Sequence, residues 1–325
     1  MEYAIEAQGL TKSYGSLVAV DHVDMEVPAG TVFGLLGPNG AGKTTIIKVL
    51  TGLSNITSGQ AKVAGYDVVR QPLHVKQRVG WVAAEVILDD DFTAWENLWL
   101  QAKLQHLTDW KERADDLLTY FELTPRKDDR VSSFSTGMRK KLEIALALLH
   151  QPEVVFMDEP TIGLDPSTRR GLWDLISGVN REFGITVLLT SHYIEEADAL
   201  CSKISIIDHG KFVASGTPED LKSRVRADMV ELQTDEELTE ATLRGLPGVT
   251  EVRTQGKTWI LRTPSSADLL PVLFTRLRPD KIRSLNVVRP SLEAVFIDLT
   301  GKRIEDEAPL HDYRKFYASI RRARQ

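Results

Sequence analysis

Gly37-Pro38-Asn39-Gly40-Ala41-Gly42-Lys43-Thr44-Thr45 lies directly after an apolar run, Val32 to Leu36, and directly before a helical pattern. The spacing G-x-x-x-x-G-K-[ST] between a strand and a helix is the one a phosphate-cradling loop requires. Its glycines let backbone N–H groups converge on phosphate oxygens, and the helix N-terminus adds partial positive charge. Lys43 supplies a point charge for the terminal phosphates, and the Thr44 hydroxyl is a ligand for Mg²⁺. A second apolar run, Val154 to Asp158, delivers the adjacent carboxylates Asp158 and Glu159 ahead of Pro160. The C-terminal ends of buried parallel strands are where such sheets place ligands. Asp158 there suits Mg²⁺ through its water shell, and Glu159 suits a water molecule that attacks the last phosphate.

Between these two stretches, Phe134-Ser135-Thr136-Gly137-Met138-Arg139-Lys140-Lys141 opens a helix. Ser135 is a good N-cap, and the free N–H groups of the turn after it form an anion site. With this third stretch the chain resembles the nucleotide-binding subunits of ATP-binding cassette transporters, over residues 1 to about 222. The resemblance implies ATP and Mg²⁺ as cofactors and Lys43, Glu159 and His192 as the catalytic set. Gly37 to Thr45 would hold the nucleotide and Tyr14 would stack on its adenine. Thr44 and Asp158 would hold the metal. Ser135 and Gly137 match the family's signature sequence, which contacts the γ-phosphate held by another copy and so implies a homodimer. Asp165, in Gly163-Leu164-Asp165-Pro166, matches the loop that crosses to that partner, and His192 matches the histidine that senses the γ-phosphate. One position departs from the pattern. The family usually carries a glutamine after the strand equivalent to Val79–Val82, as metal ligand and link to the membrane partner, where this chain reads Val82-Ala83-Ala84-Glu85-Val86. Alanine cannot ligate a metal. Either Glu85 substitutes or water fills the gap.

Positioning these groups calls for an α/β fold. Apolar strands are expected at Val32 to Leu36, Val79 to Val82, Val154 to Asp158, Thr186 to Thr190 and Ile204 to Ile207. Helices are expected at Lys43 to Leu50, Trp95 to Leu104, Trp110 to Phe121, Gly137 to Leu149, Thr168 to Asn180 and Ile194 to Leu200. Strands this uniformly apolar predict a parallel sheet buried on both faces. The resemblance makes this a P-loop NTPase core with a helical subdomain, spanning 1–222. From 226 to 300 the order strand, helix, strand, strand, helix, strand predicts a ferredoxin-like α+β accessory domain, closed by a helix from Ser291 to Leu299 with Gly301 ending it. The remaining 301–325 is a charged tail with seven basic and four acidic residues. In it Tyr313, Phe316, Tyr317 and Ile320 form one face of an amphipathic helix, suited to an anionic membrane surface or an acidic partner groove, or else to packing on its own domain.

Composition bounds the class. The 325 residues are 42% hydrophobic and 26% charged, within the range of folded globular chains. A net charge of -6 offers nucleic acid no broad positive field, so none is expected as a partner. The single Cys201 and the acidic start, with Glu2 and Glu6, fit a reducing compartment and no export signal. No apolar run approaches the roughly 20 residues needed to span a bilayer. The carboxy-terminal extension and the run Pro290 to Gly301 resemble those of the drug-resistance and multidrug exporter branch (daunorubicin-resistance type) of the family. That resemblance implies an ATPase on the cytoplasmic face of the membrane, powering export through a separate membrane-spanning permease subunit. A P-loop kinase or GTPase would leave the signature helix unexplained, and no Asn-Lys-x-Asp segment is present to read guanine. A soluble cassette acting on DNA or ribosomes would be expected to carry a second cassette, long heptads or a basic surface.

Overall fold

The computed structural model describes residues 2–223, 228–235, 238–277, 281–288 and 291–301. The amphipathic tail helix expected beyond Gly301 lies outside the described residues. The chain opens with strands β1 (Tyr3–Tyr14) and β2 (Leu17–Pro28), passes through β3 (Val32–Leu36) and helix α1 (Lys43–Leu50), and returns in β4 (Ser58–Val63) and β5 (Tyr66–Asp67). Strands β2-β1-β4-β5 form an antiparallel sheet. This sheet has no counterpart among the strands expected from sequence. The register of β1 shifts repeatedly against β2, and Gly9 sits at φ 55 between Ala7 and Leu10, so apolar and polar residues do not alternate cleanly along it.

Helix α2 (Pro72–Arg78) leads into β6 (Val79–Val82). A helical layer follows, made of α3 (Ala94–Leu104), α4 (Trp110–Tyr120) and α5 (Thr136–Leu148). Strand β7 (Val154–Asp158), helix α6 (Pro166–Phe183), β8 (Thr186–Ser191), α7 (Ile194–Leu200), β9 (Lys203–Asp208), β10 (Lys211–Gly216) and α8 (Pro218–Ser223) complete the larger part. The six-stranded sheet has the order β10-β9-β3-β8-β7-β6. All its ladders are parallel except the hairpin β9–β10 at one edge. Every residue of β3, β7 and β8 is buried, as their uniform apolarity predicts. One face packs with α1 against the antiparallel sheet through Phe33, Leu35, Ile46 and Phe156. The other packs against the helical layer and α6 through Leu36, Met157, Leu142 and Ile176. The register pairs Leu36 with Ser191 and Asp158 with Thr190, which brings the phosphate loop, the two carboxylates and His192 to one sheet edge.

The carboxy-terminal strands are β11 (Asp228–Thr234), β12 (Glu251–Gln255), β13 (Thr258–Thr263) and β14 (Ile282–Val288), with helices α9 (Glu240–Arg244), α10 (Ser266–Arg276) and α11 (Leu292–Thr300). The strand order β12-β13-β11-β14, antiparallel throughout, is that of a ferredoxin-like sheet. Thr239 caps helix α9, its side chain accepting from the Thr242 N–H. Gly301 ends α11 at φ 72. That helix does more than the closing role expected of it. Asp298 pairs with Arg253 at 3.1 Å and with Arg262 on the carboxy-terminal sheet, while α11 also packs against α7 and α8. Leu292, Val295, Phe296 and Ile297 consequently belong to the core of the larger part.

Candidate active site

The turn after β3 closes tightly. Gly42 stands at φ 109, and a Cβ there would come within 2.4 Å of the Ala19 carbonyl oxygen, so no side chain fits. Gly42 is also the N-cap of α1 and offers no side-chain cap, leaving the N–H groups of the first turn for an anion. Pro38 and Ala41 are buried, Asn39 and Gly40 exposed, and Thr45 is half-buried beside Thr44 in that first turn. The Lys43 ammonium is 5% exposed. It donates to the carbonyl oxygens of Gly37 at 2.6 Å and Pro38 at 3.2 Å, and lies 3.0 Å from Glu159 Oε1.

The two carboxylates of β7 have different surroundings. Asp158 Oδ1 accepts from Thr190 Oγ1 at 2.6 Å and from Thr44 Oγ1 at 3.1 Å. Glu159 turns away at φ 50, a left-handed conformation unusual for a residue with a Cβ, and the turn is held by its N–H donating to Thr190. Its Oε2 accepts from His192 Nδ1 at 2.5 Å. Burial pushes the Glu159 carboxyl up, but the His192 hydrogen bond and the Lys43 charge outweigh it, so the group sits below the usual glutamate value and is ionised. Thr190 thus orients the Asp158 carboxylate and holds the backbone of Glu159. It was not among the expected site residues, although the hydroxyl pair Thr190-Ser191 at the C-terminal end of the strand TVLLTS was a visible signal.

The remaining expected residues fall into two groups. Ser135 caps α5, accepting from the Met138 N–H at 3.3 Å. Gly137, in the first turn, lies so close to α6 that a Cβ would meet Thr168 Cγ2 at 2.6 Å. Asp165 caps α6 through the N–H groups of Ser167 and Thr168, and the Thr168 hydroxyl bonds its other oxygen. The signature turn and the Asp165 loop are therefore neighbours. Tyr14 stands apart, half exposed, with the Lys12 ammonium 4.6 Å from its ring centroid. Ala84 is half-buried and Glu85 exposed, with no side-chain hydrogen bond or ion pair among the described residues.

The donor set fits Mg²⁺. A hydroxyl and a carboxylate oxygen face each other, and among the described residues no group of three or more His, Cys, Asp or Glu could hold a metal alone. Mg²⁺ takes few protein oxygens and completes its shell with water and phosphate.

Residues 20–162 match the family described as "ABC transporter", and residues 216–300 match "ATP-binding protein DrrA1-3-like, C-terminal domain". The chain is 39% identical to the daunorubicin resistance ATP-binding protein DrrA2 of Streptomyces coeruleorubidus, covering 94% of this chain and 97% of that one. It is 38% identical to the linearmycin resistance ATP-binding protein LnrL of Bacillus subtilis, over 93% of this chain and all of the relative. A solved ATP-binding subunit of an ABC transporter superposes with a TM-score of 0.61 at 29% identity, covering 68% of this chain and 92% of that chain. The chain belongs to the ABC transporter family as an ATP-binding ATPase subunit. Such a subunit serves a transporter, and no helix among the described residues is long and apolar enough to cross a membrane.

Proposed function

We propose that residues 1–222 form a nucleotide-binding domain that hydrolyses ATP with Mg²⁺ between two copies of the chain, on the cytoplasmic membrane face, and drives export through a membrane-spanning partner. Residues 226–300 act as its accessory domain. The observation that carries the hydrolytic reading is Glu159, an ionised carboxylate held between Lys43 and His192 at the end of β7. The N–H groups of the α1 first turn and Lys43 bind the phosphates. Thr44 and Asp158 hold Mg²⁺, which supplies charge neutralisation on the terminal phosphates. Glu159 orients the attacking water and accepts its proton at a carboxylate oxygen, and His192 fixes the direction of that carboxylate. Ser135 and Gly137 of one copy, with Asp165 nearby, face the nucleotide of the other, and Tyr14 stacks on the adenine. The relatives' names, drug resistance in two and Nod factor export in a protein of Cupriavidus metallidurans, support export as the direction.

A partner has a seat beside the Ala84 loop. A groove of about 400 Å³ is lined by Leu53, Lys76, Trp81, Ile87, Gln105 and His150, among others. Trp81 Nε1 and His150 Nδ1, buried in its wall, have no hydrogen-bond partner among the described residues.

The decisive test of the hydrolytic site is Glu159→Gln. The variant should bind ATP and Mg²⁺ with normal affinity, accumulate as a nucleotide-bound dimer in size-exclusion chromatography, and hydrolyse about 10² to 10⁴ times more slowly. Wild-type turnover would place the base elsewhere.

A further inference from the structure

Helix α5 carries a buried ion pair that none of the catalytic groups uses. Lys140 is 2% and Glu143 5% exposed. The Lys140 ammonium donates to Glu143 Oε2 at 2.7 Å and, outside its own helix, to the Ala83 carbonyl oxygen at 2.9 Å. The other carboxylate oxygen, Glu143 Oε1, accepts from the Ile87 N–H at 3.4 Å. The loop around Ala84 is thereby tied to α5 at both ends by backbone groups, and the tie requires no particular side chain at position 84. Further along, Arg139 pairs with Asp90, the Ser132 N–H donates to the Asp90 carbonyl and the Val131 N–H to that of Phe92. The whole segment from Ala83 to Phe92 is fastened alongside residues 131–143.

A buried pair is a poor device for stability, because desolvation offsets most of the attraction, so its retention asks for another reason. Position supplies one. Lys140 lies on the second turn of the helix whose N-terminus is Ser135 to Gly137, and Glu143 and Ala83 line the groove proposed above as the partner's seat.

We infer that Lys140 and Glu143 are positioning residues that make the 83–87 loop and the signature turn one moving body, so that this loop acts on nucleotide through helix α5 and not through a side chain at position 84. The nucleotide so reached is the one facing the signature turn, held by the other copy. The inference rests on the dimeric reading of the site given above.

The test uses the full chain with both charged ends and both acceptor oxygens removed, Lys140→Met with Glu143→Met, because removing the lysine alone would strand a buried carboxylate. The phosphate loop is untouched, so ATP affinity by calorimetry should stay within about twofold, while kcat falls roughly tenfold, the size expected for loss of a coupling contact. Hydrogen exchange gives the readout that a merely structural role would not move. In the wild type, a non-hydrolysable ATP analogue should slow exchange in 83–87 and 135–139 together. In the double variant, 135–139 should still respond and 83–87 should not. Equal responses of both segments in the variant, or an unchanged kcat, would overturn the inference. If the double variant fails to fold, Glu143→Met alone keeps the Lys140–Ala83 bond, removes the acceptor for the Ile87 N–H, and should lose the analogue response at Ile87 only; a wild-type response there refutes the tie equally. A wild-type chain with no ATP turnover would instead count against the hydrolytic reading itself.

Discussion

The C-terminal edge of the six-stranded sheet and the core of the carboxy-terminal sheet bury different things. Around the first lie Lys43, Asp158, Glu159, Thr190, Ser191 and Glu196, all buried. The second closes over Val230, Leu232, Leu243, Leu261, Leu269 and Leu273, and its buried polar residues among those described are Thr263 and Ser266. Burying charged groups is unfavourable unless each finds partners. A region that keeps so many of them holds them for chemistry, whereas an apolar core holds shape. Substitutions should therefore separate activity from stability according to which region they touch.

The largest separation is expected from Lys43→Ala. It removes the cation that sits among the loop carbonyls and beside Glu159. ATP affinity measured by calorimetry should fall, and phosphate release should drop by roughly 10² to 10³. Unchanged affinity would show that the buried cluster is structural and erase the contrast.

A smaller effect tests the boundary between the regions. Leu261→Ala and Phe296→Ala each empty a buried site, at a stability loss of about 2 to 5 kcal/mol. Leu261 lies wholly within the carboxy-terminal core, so its variant should melt earlier while the folded fraction hydrolyses ATP at the wild-type rate. Phe296 belongs to α11, which packs on α7, and α7 begins two residues after His192. Its variant should lose turnover as well as stability. Identical catalytic constants for the two variants, measured below their melting ranges, would mean that α11 does not join the regions in function.

What the sequence discloses follows the same division. Strands β3 and β7 and helices α1 and α7 are legible because complete burial leaves an unbroken apolar run or a clean helical period. The phosphate loop is legible because its glycines and Lys43 are consecutive. The antiparallel sheet is not, since bulges break its period. Contacts across the sheet edge are hidden for another reason. Glu159 meets His192 only because β7 and β8 are neighbours, and spacing along the chain carries no trace of that. The apolar face of α11 can be read from its residues, but an apolar face does not say which surface it will meet. Lys140 and Glu143 read in isolation as an ordinary i,i+3 surface pair; their burial depends on the loop that covers them.

The smallest predicted effect concerns Glu196, which is fully buried on α7 close to the catalytic edge. Its Oε1 accepts from Trp173 Nε1 at 3.0 Å, while Oε2 has no hydrogen-bond partner among the described residues. Burial raises the carboxyl above the usual glutamate value, against the opposing pull of neighbouring hydrogen bonds. A folded-state value raised in this way sets the sign of the pH dependence. Below the unfolded value of about 4.3 the group is protonated in both states and there is no penalty. As pH rises past that point the unfolded carboxyl ionises first, and the fold loses stability until pH passes the folded value. Glu196→Gln keeps an acceptor for Trp173 and removes the ionisation. The variant should therefore match the wild type at low pH and melt a few degrees higher at pH 8, a gain on the order of 1 kcal/mol. Thermal melts at pH 5 and pH 8 measure it, and the gain must be larger at pH 8. A loss of stability at both pH values would mean that Glu196 is held as an anion which the fold requires. In that case the buried charges at this edge would be structural after all, and only Lys43 and Glu159 would set it apart from the carboxy-terminal core.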